Sequence, residues 1–276
     1  TIGIFAIILV FTIVDSLENN IRGSIQTLGN NVVYVQKWPW LFGPDYPWWK
    51  YINRPTPQYY ELDELSKRCR STEALAYRLG ARKTIKYKSN NIQNAVVAGI
   101  SHDFYKIKNF DLSAGRYFTQ NETDAGYHVT LIGAEIAAGL FPNEDPLGKE
   151  IKIAGQKATV IGVITKEGES LLGNSYDYQV IIPFNFARYL MDTKSENSDP
   201  TIYAKARPNV SNAEMIDELT GLLRGIRRLK PLSEPNFALN EISLLSKGFD
   251  TLFGIIGLAG WIIGGFSILV GGFGIA

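Results

Sequence analysis

The stretch LFGIIGLAGWIIGGFSILVGGFGIA, residues 252–276, decides how the rest of the chain is organised, and it carries no charged side chain. As a helix rising about 1.5 Å per residue it would be about 37 Å long, enough to cross a hydrocarbon core of about 30 Å. Small residues recur along it at Gly260, Gly264, Ser267 and Gly271. Such a stripe lets membrane helices pack closely. A buried helix of a soluble core is the alternative, but the length favours a transmembrane helix.

The opposite end of the chain is also apolar. Residues 1–14, TIGIFAIILVFTIV, are uncharged and end at Asp15. A span takes about 20 residues, so this stretch is too short alone, and it lacks the basic region of a signal peptide. We therefore expect the outer part of a first transmembrane helix whose beginning is missing. The segment between the two helices must then lie on one side of the membrane.

Composition narrows the class of the intervening segment. Residues 15–251 are enough for one large domain or two small ones. The formal net charge is +1 and 20% of residues are charged, which gives no reason to expect nucleic acid or a polyanionic partner. Cys69 is the single cysteine, so an intramolecular disulfide and a cysteine-based zinc site are excluded.

A narrow apolar seam lies at each end of this segment. Apolar residues recur at spacings of three and four, and the two sets are Leu17, Ile21 and Ile25, and Ile242, Leu245 and Phe249. The spacing is typical of a coiled coil. We predict stalk helices over residues 15–29 and 237–251, the second beginning near Asn236 or Asn240, which contact each other and couple the membrane helices to the domain. The alternative is that each seam packs on the domain.

An aromatic loop, WPWLFGPDYPWWKY, occupies residues 38–51 and holds seven aromatic residues, three prolines and one glycine. Prolines and glycine indicate irregular backbone. One interpretation is a docking surface for a partner, a glycan or the membrane interface, with Trp40, Trp48 and Trp49 as anchors. The alternative, which we prefer, is a loop that folds its rings over the domain's own core.

The remaining pattern predicts an α+β fold with a split βαβ porter-like subdomain at residues 30–110 and 191–236. Thr56 would cap its first helix. The predicted elements are a strand over 31–38, a helix over 57–70, strands over 74–80, 81–88 and 94–100, a helix over 101–107, a strand over 201–206 and a helix over 212–229 capped by Ser211. Between the halves we predict an inserted β-rich α+β subdomain, residues 111–190. Its elements are a strand and helix within 128–141 and strands over 150–153, 157–165 and 179–183.

No recognisable reaction site appears. The chain has no GxxxxGK[ST] motif, and its two histidines, His102 and His128, have no histidine partner at zinc spacing. No nucleophile stands with a base in a familiar arrangement. The basic run RGIRRLK, residues 224–230, is interpreted as the solvated end of a helix. We expect no catalytic, cofactor or metal residues, and no enzyme activity, in this chain.

Residues 115–164 resemble the periplasmic core domain of MacB-type ABC transporter permeases. The family patterns are G-R-x-F, v-x-x-I-G-x-x-x-A-x-x-L-F, D-P-[LI]-G-k-x-I-x-i and x-V-[IV]-G-V. The matching positions are Gly115, Arg116, Phe118, Ile132, Gly133, Ala137, Leu140, Phe141, residues 145–148, Ile151 and residues 160–163. The turn at Leu28 and Gly29 and the final GGFGIA also fit. The aromatic loop is an elaboration that the family pattern does not explain.

The resemblance implies a permease of the bacterial inner membrane with residues 15–251 on the periplasmic side. It implies a cytoplasmic ABC ATPase, fused or separate, which binds the ATP and Mg, so that no cofactor is expected here. A permease homodimer or a pair of related permeases, membrane lipids, and in some cases a periplasmic adaptor and an outer-membrane channel complete the implied assembly. ATP-driven closure would be passed up the stalk to export macrolides, peptides or toxins, or to release lipoproteins.

A sensory receptor also fits the pattern of residues. In that case the segment between the two membrane helices would bind an extracytoplasmic ligand and signal to a cytoplasmic kinase. The sequence that follows residue 276 would distinguish a receptor from a permease, because a permease continues with further membrane helices.

Overall fold

A computed structural model describes residues 12, 14, 16–18, 31–40, 46–168 and 175–273, without the side chains at 245–247, 250–252, 264 and 267–273. The chain divides into two compact units. The core unit comprises residues 31–39 and 47–240. The terminal unit comprises residues 1–30, 40–46 and 241–276.

A ten-stranded sheet is the framework of the core unit. Its strands are β1 (Val32–Gln36), β2 (Thr72–Tyr87), β3 (Asn90–Ile100), β4 (Leu112–Gly115), β5 (Val129–Ile132), β6 (Glu150–Ile153), β7 (Gln156–Ile164), β8 (Gln179–Pro183), β9 (Thr201–Ala206) and β10 (Ala238–Glu241). The described helices are α1 (Trp48–Tyr51), α2 (Tyr59–Arg68), α3 (Phe104–Ile107), α4 (Gln120–Ala125), α5 (Ala134–Leu140), α6 (Phe184–Leu190), α7 (Asn212–Ile226) and α8 (Ile242–Phe273).

The strand order is β10-β1-β9-β2-β3-β8-β5-β7-β4, and β6 pairs with both β2 and β7. β1 and β2 are each antiparallel to β9, which lies between them, while α2 joins them along the chain. This is the split βαβ arrangement. β3 pairs in parallel with β8, so the porter-like part and the inserted part share one sheet. The predicted boundaries at residues 110 and 190 stay a prediction.

Two apolar clusters form the core. Tyr77 belongs to the larger cluster and Ala76 to the smaller one, so the clusters lie on opposite faces of β2 because successive side chains in a strand alternate. Helix α7 contributes Met215, Leu219 and Leu223 to the larger cluster, at the spacing of one helix face. Each such buried side chain stabilises the fold by about 1.5–3 kcal/mol.

Several predicted elements are confirmed. β6 and β8 occupy the predicted residues 150–153 and 179–183. Helix α7 begins as predicted, because the Ser211 hydroxyl accepts a hydrogen bond from the Glu214 N–H at 3.2 Å. The separate strands predicted over 74–80 and 81–88 are wrong, since β2 runs unbroken through Gly80, which pairs with Ala98 of β3.

The predicted start of the first helix is also wrong. Helix α2 is capped by Gln58, and Glu61 closes the capping box by accepting the Gln58 N–H at 3.0 Å. Thr56 is buried instead, and its hydroxyl donates to the carbonyl of Lys194. The predicted helix over 101–107 shortens to α3.

In the terminal unit, residues 12, 14 and 16–18 are helical, and α8 extends over 32 residues. The predicted start near Asn236, and with it a stalk helix over all of 237–251, is wrong, because β10 occupies Ala238–Glu241. Helix α8 begins at Ile242, two residues after the alternative start near Asn240. Within the described part of the chain, no helix combines the length and the apolar character that crossing a membrane requires.

Candidate functional site

The aromatic turn, residues 47–54, is the first candidate. Its helix α1 contains no buried residue, and Trp48 and Trp49 are 54% and 58% exposed. The two indole rings meet edge to face with centroids 6.1 Å apart. The preferred interpretation of the sequence, in which the rings cover the core, is therefore wrong for these two residues. Trp40 lies in the terminal unit and is partly buried.

The base of the aromatic turn is held firmly. Tyr51 packs edge to face on Trp38 at 6.4 Å, and the Arg54 guanidinium lies 4.4 Å from the Tyr51 ring centroid. The buried Lys37 ammonium donates to the carbonyl of Ile52 at 2.6 Å and forms an ion pair with Glu196. The exposed pair Trp48 and Trp49 is thus presented on an anchored support, as rigid aromatic docking residues commonly are.

The second candidate is the junction, which we define as residues 236–240 and the side chains that bind them. Asn240 is only 1% exposed, and its Nδ2 donates to Gln36 Oε1 and to the Trp38 carbonyl, both at 2.9 Å. These bonds tie β10 to the end of β1. Helix α8 begins at Ile242, two residues later, so Asn240 fixes the point at which the chain leaves the core unit.

A buried ion pair supports the junction. The Glu61 carboxylate on α2 accepts from Arg227 Nε at 2.7 Å and Nη2 at 3.0 Å, with side chains 2% and 4% exposed. Arg227 Nη1 also donates to the carbonyl and the Oδ1 of Asn236. The interpretation of residues 224–230 as solvated is wrong for Arg227. Local sequence carries no signal for this pair, because its members lie 166 residues apart.

The remaining predicted site residues are only partly described. Leu17 is 44% exposed, Ile242 is 5% exposed, and Phe249 stacks on Phe253 with centroids 6.4 Å apart. Gly260 lies within α8. The remaining residues of the two seams and of the small-residue stripe fall outside the described residues or side chains: Ile21, Ile25, Leu245, Gly264, Ser267 and Gly271. Contact between the two seams stays a prediction.

The motif G-R-x-F builds a turn. Gly115 adopts φ +85°, and an added Cβ would lie 2.2 Å from the Ile161 carbonyl oxygen. Arg116 forms a bidentate ion pair with Glu122 at 2.8 and 2.6 Å. The hydrogen bond from Arg116, assisted by those from Thr119, lowers the pKa of Glu122 to about 2 despite the opposing effect of burial. Phe118 is buried in the smaller cluster.

The other motif residues are also structural. Gly133 is the N-cap residue of α5, and a Cβ there would lie 2.1 Å from the Tyr176 carbonyl oxygen. Ile132, Leu140 and Ile151 are fully buried. These residues therefore build the fold.

The histidines have packing roles. His128 stacks on Phe186 at 4.2 Å, and His102 contacts the rings of Tyr105 and Tyr117. Among the described residues, no group of three His, Cys, Asp or Glu side chains could hold a metal ion. The described residues therefore provide two candidate sites, the exposed aromatic turn and the junction.

Known sequences similar to this chain include export ATP-binding/permease proteins. The chain is 26% identical over 275 residues to the macrolide export ATP-binding/permease protein MacB of Haemophilus ducreyi, covering 97% of the chain and 37% of that protein. It is 25% identical over 275 residues to the pyoverdine export ATP-binding/permease protein PvdT of Pseudomonas aeruginosa, covering 99% of the chain and 39% of that protein. The chain thus spans about two fifths of the length of these relatives.

Solved structures share the fold. The periplasmic region of MacB from Actinobacillus actinomycetemcomitans superposes with a TM-score of 0.64 at 16% identity, covering 82% of this chain and 95% of that one. The extracellular domain of the ABC-type transporter YknZ from Gram-positive bacteria gives a TM-score of 0.57 at 19% identity, covering 76% and 99%. Residues 1–222 match the family described as MacB-like periplasmic core domain. The chain belongs to the family of MacB-like periplasmic core domains.

Proposed function

We propose that the chain is the periplasmic core domain of an inner-membrane ABC exporter permease, with parts of the membrane helices on either side. The junction is the observation that carries this proposal. Asn240 ties β10 to β1 directly before α8 begins, so a displacement of the start of α8 would act on the sheet of the core unit. A domain that receives movement from a membrane helix needs such a fixed attachment.

The proposed coupling runs from the cytoplasm to the domain. A partner ABC ATPase supplies the energy of ATP hydrolysis with Mg, and this chain contributes no residue to that chemistry. Residues 1–14 and 252–276 form membrane helices, and residues 15–29 and 242–251 form the stalk. Within the core unit, Arg227 donates a hydrogen bond to Asn236 and forms an ion pair with Glu61 on α2. The junction therefore passes movement to the helices packed on the sheet.

The proposed assembly contains two permeases, either identical or related, in contact with membrane lipids. A periplasmic adaptor and an outer-membrane channel complete it where the substrate crosses the outer membrane. The relatives' names support export of small molecules such as macrolides or pyoverdine. Release of lipoproteins belongs to the same mechanism. Exposure of Trp48 and Trp49 supports their role as docking residues for a periplasmic partner.

Topology labelling in cells tests the proposal. The full chain would carry Cys69→Ser and Tyr189→Cys, because Tyr189 is 81% exposed and lies in the core unit. A membrane-impermeant maleimide should label this variant in cells whose inner membrane is intact. The buried variant Ala204→Cys should stay unlabelled until the protein is denatured. Labelling of Tyr189→Cys only after lysis of the inner membrane would contradict a periplasmic domain.

A further inference from the structure

Three lysines stand side by side on neighbouring strands of the core unit. Lys86 of β2 lies directly opposite Lys152 of β6, and Lys152 lies directly opposite Lys157 of β7. Opposed residues of an antiparallel pair point to the same face of a sheet, so the three ammonium groups share one face. All three residues are exposed, and the Lys157 side chain is 66% exposed. We call this set the lysine row.

The lysine row is electrostatically unfavourable in the free protein, because like charges directly opposite each other destabilise a strand pair. Lys157 forms an ion pair with Glu150 at 2.7 Å. Neither Lys86 nor Lys152 lies within ion-pair distance of a carboxylate in the described part of the chain. The lysine row and Glu150 together therefore comprise three cations and one anion, and neither Lys86 nor Lys152 has a carboxylate partner among the described residues.

Protection of a sheet edge does not explain Lys86 and Lys152. Exposed edge strands often carry lysine to prevent pairing with other chains. Lys86 is paired on both sides, with Asn91 of β3 and Lys152 of β6, and Lys152 is paired on both sides as well. Lys86 and Lys152 thus lie in the interior of the sheet surface.

The support beneath the row is rigid. Ile85, Ile151 and Ile153 point to the opposite face and are fully buried in the larger cluster. The positions of the three Cα atoms are therefore fixed by the sheet, and only the flexible lysine side chains adjust to a ligand.

We propose that the lysine row binds an acidic helix of a partner protein, which lies across the strands. Adjacent strands are about 4.8 Å apart, so the row spans about 9.6 Å. Glutamates at positions i, i+4 and i+7 of a helix share one face and span about 10.5 Å along its axis. An extended strand presents carboxylates about 6.8 Å apart, which matches the row less well. This inference does not depend on export, on the ATPase or on membrane attachment.

Binding of a designed peptide tests the proposal. The probe is a fluorescein-labelled alanine-rich helix with glutamates at i, i+4 and i+7, and its reference has the same composition with glutamates spread around the helix. Fluorescence anisotropy with the full chain in detergent should give about tenfold tighter binding of the aligned peptide at low salt. The triple variant Lys86→Gln, Lys152→Gln, Lys157→Gln should bind both peptides equally weakly.

A matched control removes three lysines elsewhere: Lys67→Gln, Lys194→Gln and Lys230→Gln, all at exposed positions. It changes the net charge equally and should keep the preference for the aligned peptide. Thermal unfolding should place the lysine-row variant at the wild-type temperature or above, since like charges have been removed. A charge exchange is the most specific test. The Lys152→Glu variant should bind most tightly to a peptide in which lysine replaces the central glutamate.

Equal binding of aligned and dispersed peptides to the wild type would overturn the proposal, because only general electrostatic attraction would remain. Binding to phosphatidylglycerol vesicles tests the alternative ligand, an anionic lipid headgroup. If the lysine-row variant loses vesicle binding while the wild type does not distinguish the peptides, the surface recognises lipid headgroups and the acidic helix is wrong.

Discussion

The carboxylate of Glu61 and the guanidinium of Arg227 form a bidentate ion pair whose side chains are only 2% and 4% exposed. Arg227 also holds Asn236, four residues before Asn240, and its guanidinium lies 5.5 Å from the Phe237 ring centroid. The pair thus joins α2, the end of α7 and the junction. Its removal should affect the fold and the attachment of α8 together.

We predict that Glu61→Ala lowers the free energy of unfolding by about 3–5 kcal/mol, because it leaves the buried Arg227 charge without its partner. Chemical denaturation of the wild type and the variant measures the difference. Glu64→Ala is the matched control on the same helix. It removes exposed ion pairs with Lys67 and Arg68 and should cost at most about 1 kcal/mol. Equal costs for the two variants would mean that the buried pair has no special role.

Two glycines should respond to alanine with opposite signs. Gly133→Ala would place a Cβ 2.1 Å from a backbone oxygen and should destabilise the protein. Gly221→Ala lies within α7 in open space and should stabilise it by about 0.5–1 kcal/mol, because glycine is a poor helix former. Thermal unfolding of both variants checks the signs. A stabilising Gly133→Ala would contradict the close approach at the start of α5.

The ion pair of Glu122 and Arg116 should contribute stability that depends on pH. Because the pKa of Glu122 is lowered to about 2 in the fold, the contribution is present above the ordinary carboxyl pKa of about 4.3. It should decline as the pH falls from about 4.3 towards about 2. Urea denaturation of wild type and Glu122→Gln across this range measures it. Arg116→Gln should be less stable than the wild type above this window, and the difference should shrink as the pH falls through it, because only the wild type has the pair to lose. A difference that stays constant down to pH of about 2 would refute the assignment.

We predict that the double variant Trp48→Ala, Trp49→Ala is nearly as stable as the wild type, within about 1 kcal/mol, because both rings are exposed. The buried Phe104→Ala should instead cost about 3–5 kcal/mol. If the tryptophans dock a periplasmic partner, the double variant should weaken capture of that partner while its melting temperature is retained. A large drop in melting temperature would restore the interpretation of a core-covering loop.

Local signals predicted much of the fold. The alternating residues of β6, the short apolar run of β8 and the serine cap of α7 are each written within a few neighbouring positions, and the structure has them where expected. Gly80 misled the prediction, because glycine is typical of a break, whereas pairing with β3 from Arg78 to Tyr87 continues through it.

The sites were harder to predict, because they depend on distant parts of the chain. Arg227 reads as one cation among several in RGIRRLK, and only the packing of α2 against α7 brings Glu61 to it. The lysine row likewise depends on the register among β2, β6 and β7. The exposure of Trp48 and Trp49 could not be read from composition, because an aromatic loop can cover a core as readily as it can face a partner.

We propose that ATP hydrolysis moves this domain through the junction. Pulsed electron paramagnetic resonance on the assembled transporter tests it directly, with spin labels at Tyr189→Cys in both permeases and Cys69→Ser throughout. The account predicts that trapping the ATP-bound state shifts the distance between the two labels. We also predict that Asn240→Ala reduces this shift while ATP hydrolysis continues, because the side-chain hydrogen bonds to Gln36 and Trp38 that reinforce the pairing of β10 with β1 are lost. An unchanged distance in a transporter that hydrolyses ATP would contradict the account.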